Sequence, residues 1–293
     1  MRILITGCLG YIGTELLDLF KNTNHEVIGL DNNKDLYERF APSYIKDNNI
    51  KLLVKDICDD ISPYKDVDMV IHLAAVVGYV SCDNHPKEAH KTNIEGTKNV
   101  LALERPTIFL SSGSVYGKIG SECSETITPA PETLYSKTKV KGEKMVRKNS
   151  DWVILRPSTL YGLSKNMRHD LLIHNLMSDA IRDSEVHLYQ PMARRSFCSV
   201  SCVANLLLYI VENYKKFNRT TLNVGTENLN LTKAQIVDEI SKFVKFETKI
   251  IDNEDKDQRD YFVNYGELNN LYTGVKKNLD ITDCIKYYKQ LYE

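Results

Sequence analysis

Six apolar runs, each bounded by charged or turn-forming residues, punctuate the first 157 positions of the chain: "RILIT" (2–6), "EVIGLD" (26–31), "KLLVKD" (51–56), "DMVIHLAA" (68–75), "TIFLSS" (107–112) and "WVILRP" (152–157). None alternates apolar with polar residues, so they predict strands buried on both faces, as in a parallel sheet. Between them the period lengthens. Leu16, Leu17, Leu19 and Phe20 fall at helical spacing, and further helices are predicted over 84–103 and 133–148. Strand and helix in alternation predict an α/β fold with a doubly wound parallel sheet. After residue 165 the strand pattern thins and helices dominate, over 169–182, 201–213, 232–244 and 282–292. No Gly/Ser linker or repeat interrupts the chain. The expected organisation is a unit over 1–165, with part of 195–225 packing back on it, and a second lobe over 166–293, closed on a cleft.

Composition narrows the partners. Of 293 residues 42% are hydrophobic, enough for a large core, and 38 basic residues against 39 acidic ones leave a net charge of −1. Without a basic field, neither nucleic acid nor a membrane surface is an expected partner. The cysteines (8, 58, 82, 123, 198, 202, 284) are odd in number and form no CxxC pair, so neither a disulfide framework nor a metal site is expected. A strand from residue 2 leaves no room for a signal peptide, and no run approaches a membrane span; the expected location is cytoplasmic.

The stretch "GCLGYIG" sets Gly7, Gly10 and Gly13 three apart between the first strand and its helix. Glycines there let the backbone approach a pyrophosphate, which then sits on the helix N-terminus. Asp31, with Asn32 beside it, ends the second strand where an acid can hydrogen-bond both ribose hydroxyls of an adenine nucleotide. A 2′-phosphate would meet a like charge, so NAD is favoured over NADP, and Lys34 is the nearby opposing cation. Asp56 and Ile57, after the third strand, are placed to flank the adenine.

"TLYSKTKVKGEK" carries Tyr135 and Lys139 on one helix face. Tyr161 with Lys165 and Tyr272 with Lys276 share that spacing, but only Tyr135 follows a strand ending in hydroxyls, "FLSSGSVYG". Lowering a phenol pKa from about 10 to about 7 takes roughly 4 kcal/mol of preference for the phenolate. Lys139 and a nicotinamide cation can supply it. Tyr135 then accepts the proton of a substrate hydroxyl, and Ser112 steadies the same oxygen.

These residues resemble the extended short-chain dehydrogenase/reductase family, in its NAD-dependent sugar-nucleotide epimerase/dehydratase branch, along nearly the whole chain. The motifs are the glycine loop Gly7, Gly10, Tyr11, Ile12, Gly13; "HLAA" at 72–75; Asn93 in "NIEGTKN"; "SSGSVYG"; Tyr135 and Lys139; "RRSF" and "NVGT". The resemblance implies a Rossmann-type NAD-binding domain with a smaller C-terminal substrate-binding lobe. It implies catalysis by Ser112, Tyr135 and Lys139, and cofactor contacts that include Leu73, Ala74, Ala75, Asn93, Ser111, Tyr135, Lys139 and Pro157. A nucleotide-diphosphate sugar is the implied substrate, held by Ser112, Ser114, Arg168, Asn175, Arg195 and Arg259, and a homodimer or higher homo-oligomer is implied through the helices around 84–103 and 133–148. Three stretches depart from the branch: Thr159 replaces the Asn of "RxxN", Cys202 the acid of "VxDVA", and "SKNMRHDLLIHN" carries Arg168 with Asp170. Ser112, Gly113 and Ser114 stand where 4,6-dehydratases have Thr-Asp-Glu, which disfavours dehydration. A 4-epimerase is the first expectation, with a net C4 dehydrogenase or 4-keto reductase left open, as are the base and the sugar.

Overall fold

The computed structural model describes residues 1–44, 47, 49–251 and 262–292. The apolar runs become β1 (Arg2–Thr6), β2 (Glu26–Asp31), β3 (Ile50–Val54), β4 (Met69–His72) and β5 (Thr107–Leu110). Between them lie α1 (Tyr11–Phe20), α2 (Lys34–Phe40) and a helical stretch built of α3 (Tyr79–Asn84), α4 (Pro86–His90), a π-helical segment Lys91–Gly96 and α5 (Thr97–Leu101). Next come β6 (Glu122–Cys123), α6 (Leu134–Val146), β7 (Trp152–Pro157), β8 (Thr159–Tyr161), α7 (Leu172–Arg182), β9 (Glu185–Tyr189), β10 (Arg194–Ser199), α8 (Val200–Glu212) and α9 (Tyr214–Phe217). The chain continues through β11 (Thr220–Val224), β12 (Asn230–Thr232), α10 (Lys233–Ser241), β13 (Glu247–Ile251), β14 (Phe262–Val263), α11 (Gly266–Leu271) and α12 (Thr282–Tyr292).

Seven strands pair in parallel in the order β11-β7-β5-β4-β1-β2-β3. The chain runs outward from β1 in both directions, so a crevice opens at the C-terminal ends of β1 and β4, where the order reverses. Because helices cover both faces, β1 has no polar side. Ile3 and Ile5 pack with Leu16, Leu17 and Phe20 of α1 and Leu206, Leu207 and Ile210 of α8. Leu4 packs on the opposite face with Ile28, Leu30, Val70 and Val100. Each such side chain contributes about 1.5–3 kcal/mol by leaving water. A second core gathers Ile173, Leu176, Met177, Phe197, Ile236, Ile240, Ile285 and Tyr288 between α7, α10 and α12.

Three expectations change. The stretch over 84–103 is not one helix: it begins at Tyr79, breaks at His85 (φ −128°, ψ 60°) before Pro86, which has no N–H to donate, and then widens into the π-helical segment. "DMVIHLAA" and "TIFLSS" leave the sheet after His72 and Leu110, because their last residues line the crevice instead. Strands also persist past residue 165, as β9 to β14. In β9 only Val186 and Leu188 are buried, so no apolar run announces it, and β10 is buried despite the sequence RRSFCS. No helix among the described residues is long and apolar enough to cross a membrane.

Candidate active site

The glycine loop lies against the end of β4. Gly7 has φ +69°, and a Cβ there would lie 2.7 Å from the Ala74 backbone; at Gly13 it would lie 2.4 Å from the Cys8 carbonyl oxygen. Only glycine lets β1, the loop and α1 approach so closely. Asp31 accepts hydrogen bonds from the backbone N–H groups of Leu9 (3.0 Å) and Asn33 (3.1 Å). Burial pushes its carboxyl above the ordinary range, and those two donors pull it back. Lys34 turns away to Glu38, 3.6 Å distant on the exposed face of α2. Asp56 accepts from Cys58 N (2.8 Å) and Asn32 Nδ2 (3.4 Å), which fixes the turn that presents Ile57.

The segment after β4 is held from behind. His72 bonds Thr6 Oγ1 through Nδ1 (2.7 Å) and Thr97 Oγ1 through Nε2 (3.0 Å), and burial holds its ring at a pKa of about 3. Asn93, presented by the π-helical turn, accepts from Val76 N (2.8 Å) and donates to the Val76 carbonyl and Thr138 Oγ1 (both 3.0 Å). Its amide is thereby occupied by protein: the structure places Asn93 behind the wall, shaping Ala74 to Val76, and not on the cavity surface.

Tyr135 stands in the first turn of α6, which Thr133 caps by accepting from Ser136 N (3.1 Å). One turn on, Lys139 is only 4% exposed; its Nζ donates to the Leu110 carbonyl (2.9 Å) and lies 5.8 Å from the Tyr135 ring centroid. Burial lowers its pKa to about 8. Ser112, two residues past the end of β5, accepts from Ser114 N (3.1 Å). Ser114 Oγ is buried with no protein partner, an orphaned polar group on the cavity wall that suits a polar ligand. The rival tyrosines lie elsewhere: Tyr161 is in the second core, with Lys165 bonded to Asp18 (2.6 Å), and Tyr272 packs on Tyr209.

These parts line one cavity of about 940 Å³. At one end stand Gly7, Gly10, Tyr11, Ile12, Gly13, Asp31, Asn32, Asp56 and Ile57; in the middle Leu73, Ala74, Ala75, Ser111, Ser112, Ser114, Tyr135, Pro157 and Arg168, which reaches toward Gly78 and Tyr135; toward the other end Asn175 and Arg195. Arg259 lies outside the described residues. Tyr11 lines the wall, but its hydroxyl donates to the Gly162 carbonyl (2.5 Å), tying the glycine loop to the turn after β8. Arg168 makes a two-pronged ion pair with Asp170 (both 2.6 Å), and Thr159 also faces the cavity. Asp179, His187, Tyr189 and Lys233 complete the far end and were not anticipated. They come from α7, β9 and α10, and only folding brings them together; Lys233, buried and donating to the Tyr189 carbonyl (3.1 Å), carries no local signal.

The model of the NAD dependent epimerase/dehydratase family matches residues 3–225. A protein of Bacillus subtilis described as an uncharacterized UDP-glucose epimerase is 30% identical over 272 residues, covering 82% of each chain. A putative UDP-glucose 4-epimerase of Methanocaldococcus jannaschii is 26% identical over 94% of this chain and 90% of its own. Among solved structures, the UDP-glucuronic acid 4-epimerase of Bacillus cereus, in complex with UDP-glucuronic acid and NAD, superposes with a TM-score of 0.86 at 24% identity over the whole of both chains.

Proposed function

Because the chain belongs to the NAD-dependent epimerase/dehydratase family, we propose that it is a 4-epimerase of a UDP-sugar. The observation that carries this reading is the presence of Ser112 and Tyr135, with Lys139 buried behind them, midway along a cavity with the glycine loop and Asp31 at one end and Arg195 and Asn175 at the other. The cavity volume is of the size that holds large ligands. Residues 1–165, with β10, α8 and β11 packed on them, hold NAD; the lobe over 166–293 holds most of the nucleotide sugar.

Gly7, Gly10 and Gly13 admit the pyrophosphate, Asp31 the adenine ribose, and Ala74, Ala75 and Pro157 the middle of the dinucleotide. When bound, NAD supplies reversible hydride acceptance at the sugar's C4. Tyr135, favoured as phenolate by Lys139, takes the C4 hydroxyl proton, and Ser112 hydrogen-bonds the oxygen as it becomes a carbonyl. Ser114 turns its unpartnered hydroxyl to the sugar, Arg168 faces the substrate on the Tyr135 side of the cavity, and Asn175 and Arg195 bind toward the diphosphate and base. Once the keto sugar has turned over, return of the hydride to the opposite face of C4 together with the proton from Tyr135 would complete the epimerisation with no net redox change.

Mass spectrometry of ligand released from the denatured protein should find NAD or NADH. Incubation with a panel of UDP-sugars should then give 4-epimers with no change in NADH absorbance. NADH accumulating in step with product would make the enzyme a net dehydrogenase instead.

The cysteines, all unpaired, suit a reducing compartment such as the cytoplasm. A homodimer through α3 to α6 would be polar. Ala89, Ile94 and Val100 are 0–1% exposed and already buried within the subunit, whereas Lys137, Lys141 and Lys144 face outward on α6. The pairing we propose is therefore sensitive to salt.

A further inference from the structure

Glu143 lies one turn beyond Lys139 on α6 and is 1% exposed. Four donors meet its carboxylate: Ser111 Oγ (2.6 Å), Arg156 Nε (2.9 Å), Arg156 Nη2 (2.8 Å) and Arg147 Nη1 (3.1 Å). The third Arg156 nitrogen, Nη1, donates to the Tyr116 hydroxyl (3.0 Å), which donates to Asn223 Oδ1 (2.7 Å) on β11. A buried ion pair of this kind is weak evidence for stability, since apolar residues of the same volume often do as well. Its position points to another use. Leu110, Ser111 and Ser112 are consecutive: the first accepts from Lys139, the second donates to Glu143, and the third faces the cavity. Two successive turns of α6 thus grip two successive residues at the end of β5, and the preceding turn carries Tyr135.

We propose that Glu143 is a positioning residue for the reaction read above: its carboxylate anchors Ser111, and through it Ser112, to the helix that carries Tyr135, and its charge keeps Lys139 protonated. The proposal rests on that reading for its chemistry. The groups facing Lys139 are Cys82 from α3, His72 from β4, and Tyr135 and Glu143 from its own helix, with Arg156 on β7 behind Glu143. Burial raises the Cys82 thiol to about 11 and keeps His72 neutral. At neutral pH Glu143 and the Tyr135 phenolate are thus the facing negative charges that hold the Lys139 proton, against the burial that drives it off.

Two variants of the full chain separate the roles. Ser111→Ala removes the grip and leaves the ion pair; kcat should fall about tenfold with the pH profile in place. Glu143→Gln removes the charge as well, so kcat should fall further, with KM little changed, and its alkaline decline should begin about one pH unit lower. The lysine titration, followed by NMR on lysine-labelled protein and assigned with Lys139→Met, needs no substrate, and in Glu143→Gln its midpoint should move down by the same amount. Should that variant not fold, the double variant Glu143→Gln/Arg156→Met leaves no unpaired buried carboxylate partner and should show a displacement of the same sign but smaller, because a positive charge leaves with the negative one. An unmoved Lys139 midpoint, or an unmoved alkaline limb in an active variant, overturns the proposal. Absence of epimerisation by the wild-type chain overturns the reading of function and leaves the NMR result standing.

Discussion

At Gly7 the backbone turns at φ +69° within 2.7 Å of where a Cβ would meet Ala74. Gly7→Ala adds left-handed strain on the order of 1–2 kcal/mol and pushes the loop off the β4 end. NAD affinity by calorimetry should fall by more than tenfold, together with the thermal midpoint. Asp31→Asn keeps an acceptor for Leu9 and Asn33 while removing the charge, so the expected preference of the wild-type chain for NAD over NADP should narrow in this variant; NADP binding as tight as NAD in the wild type would contradict the role assigned to the acid. Tyr135→Phe should lower kcat by about 10²–10⁴ with NAD affinity intact, while Tyr161→Phe and Tyr272→Phe remain active. Glycines, acid, tyrosine and lysine were legible beforehand because each acts at a fixed offset from a strand or helix end. Glu143 was not, since its partners Ser111, just past β5, and Arg156, on β7, stand far from each other in sequence.

The elements hold one another through buried histidines that must stay neutral. Burial lowers His72 to about 3, between β1, β4 and α5, and His174 to about 4, where it accepts from Gly162 N (3.1 Å). As pH falls below about 6.5 the unfolded chain takes up protons that the folded chain refuses, so stability is full above that pH and declines toward pH 4. The urea midpoint should fall between about pH 6.5 and 5, and less steeply in His72→Gln; a flat profile would mean that the rings titrate normally. Helix ends were readable where a hydroxyl caps them, as Thr133 and Thr232 do for α6 and α10. The break at Pro86 and the π-helical turn at Asn93 were not read, because the apolar positions Ala89, Ile94 and Val100 keep a near-helical spacing across both irregularities.

At the scale of the whole molecule, assembly should respond to ionic strength. Light scattering at micromolar concentration should give a mass that rises toward the dimer between about 0.05 and 0.5 M salt, as repulsion between the α6 lysines of the two copies is screened. A dimer indifferent to salt would place its interface away from the α6 lysines. NAD should raise the thermal midpoint, because its contacts span segments far apart in the chain and ligand bound only to the folded state stabilises it.

The order of residues by itself determined the parallel sheet of the first half, the glycine turn, the acid after β2 and the tyrosine and lysine of α6, because periodicity and short spacing act within one element or across one turn. The tertiary structure decided what lies opposite them. It folded the short strands β9 to β14 from residues with no apolar run, brought Asp179, His187, Tyr189 and Lys233 to the far end of the cavity, and turned the apolar stripes of α4, α5 and the π-helical segment between them inward. It also buried Glu143 between two arginines and a serine. Each of those outcomes depends on contacts between residues distant in sequence, whose burial and charge pairing exist only in the folded chain.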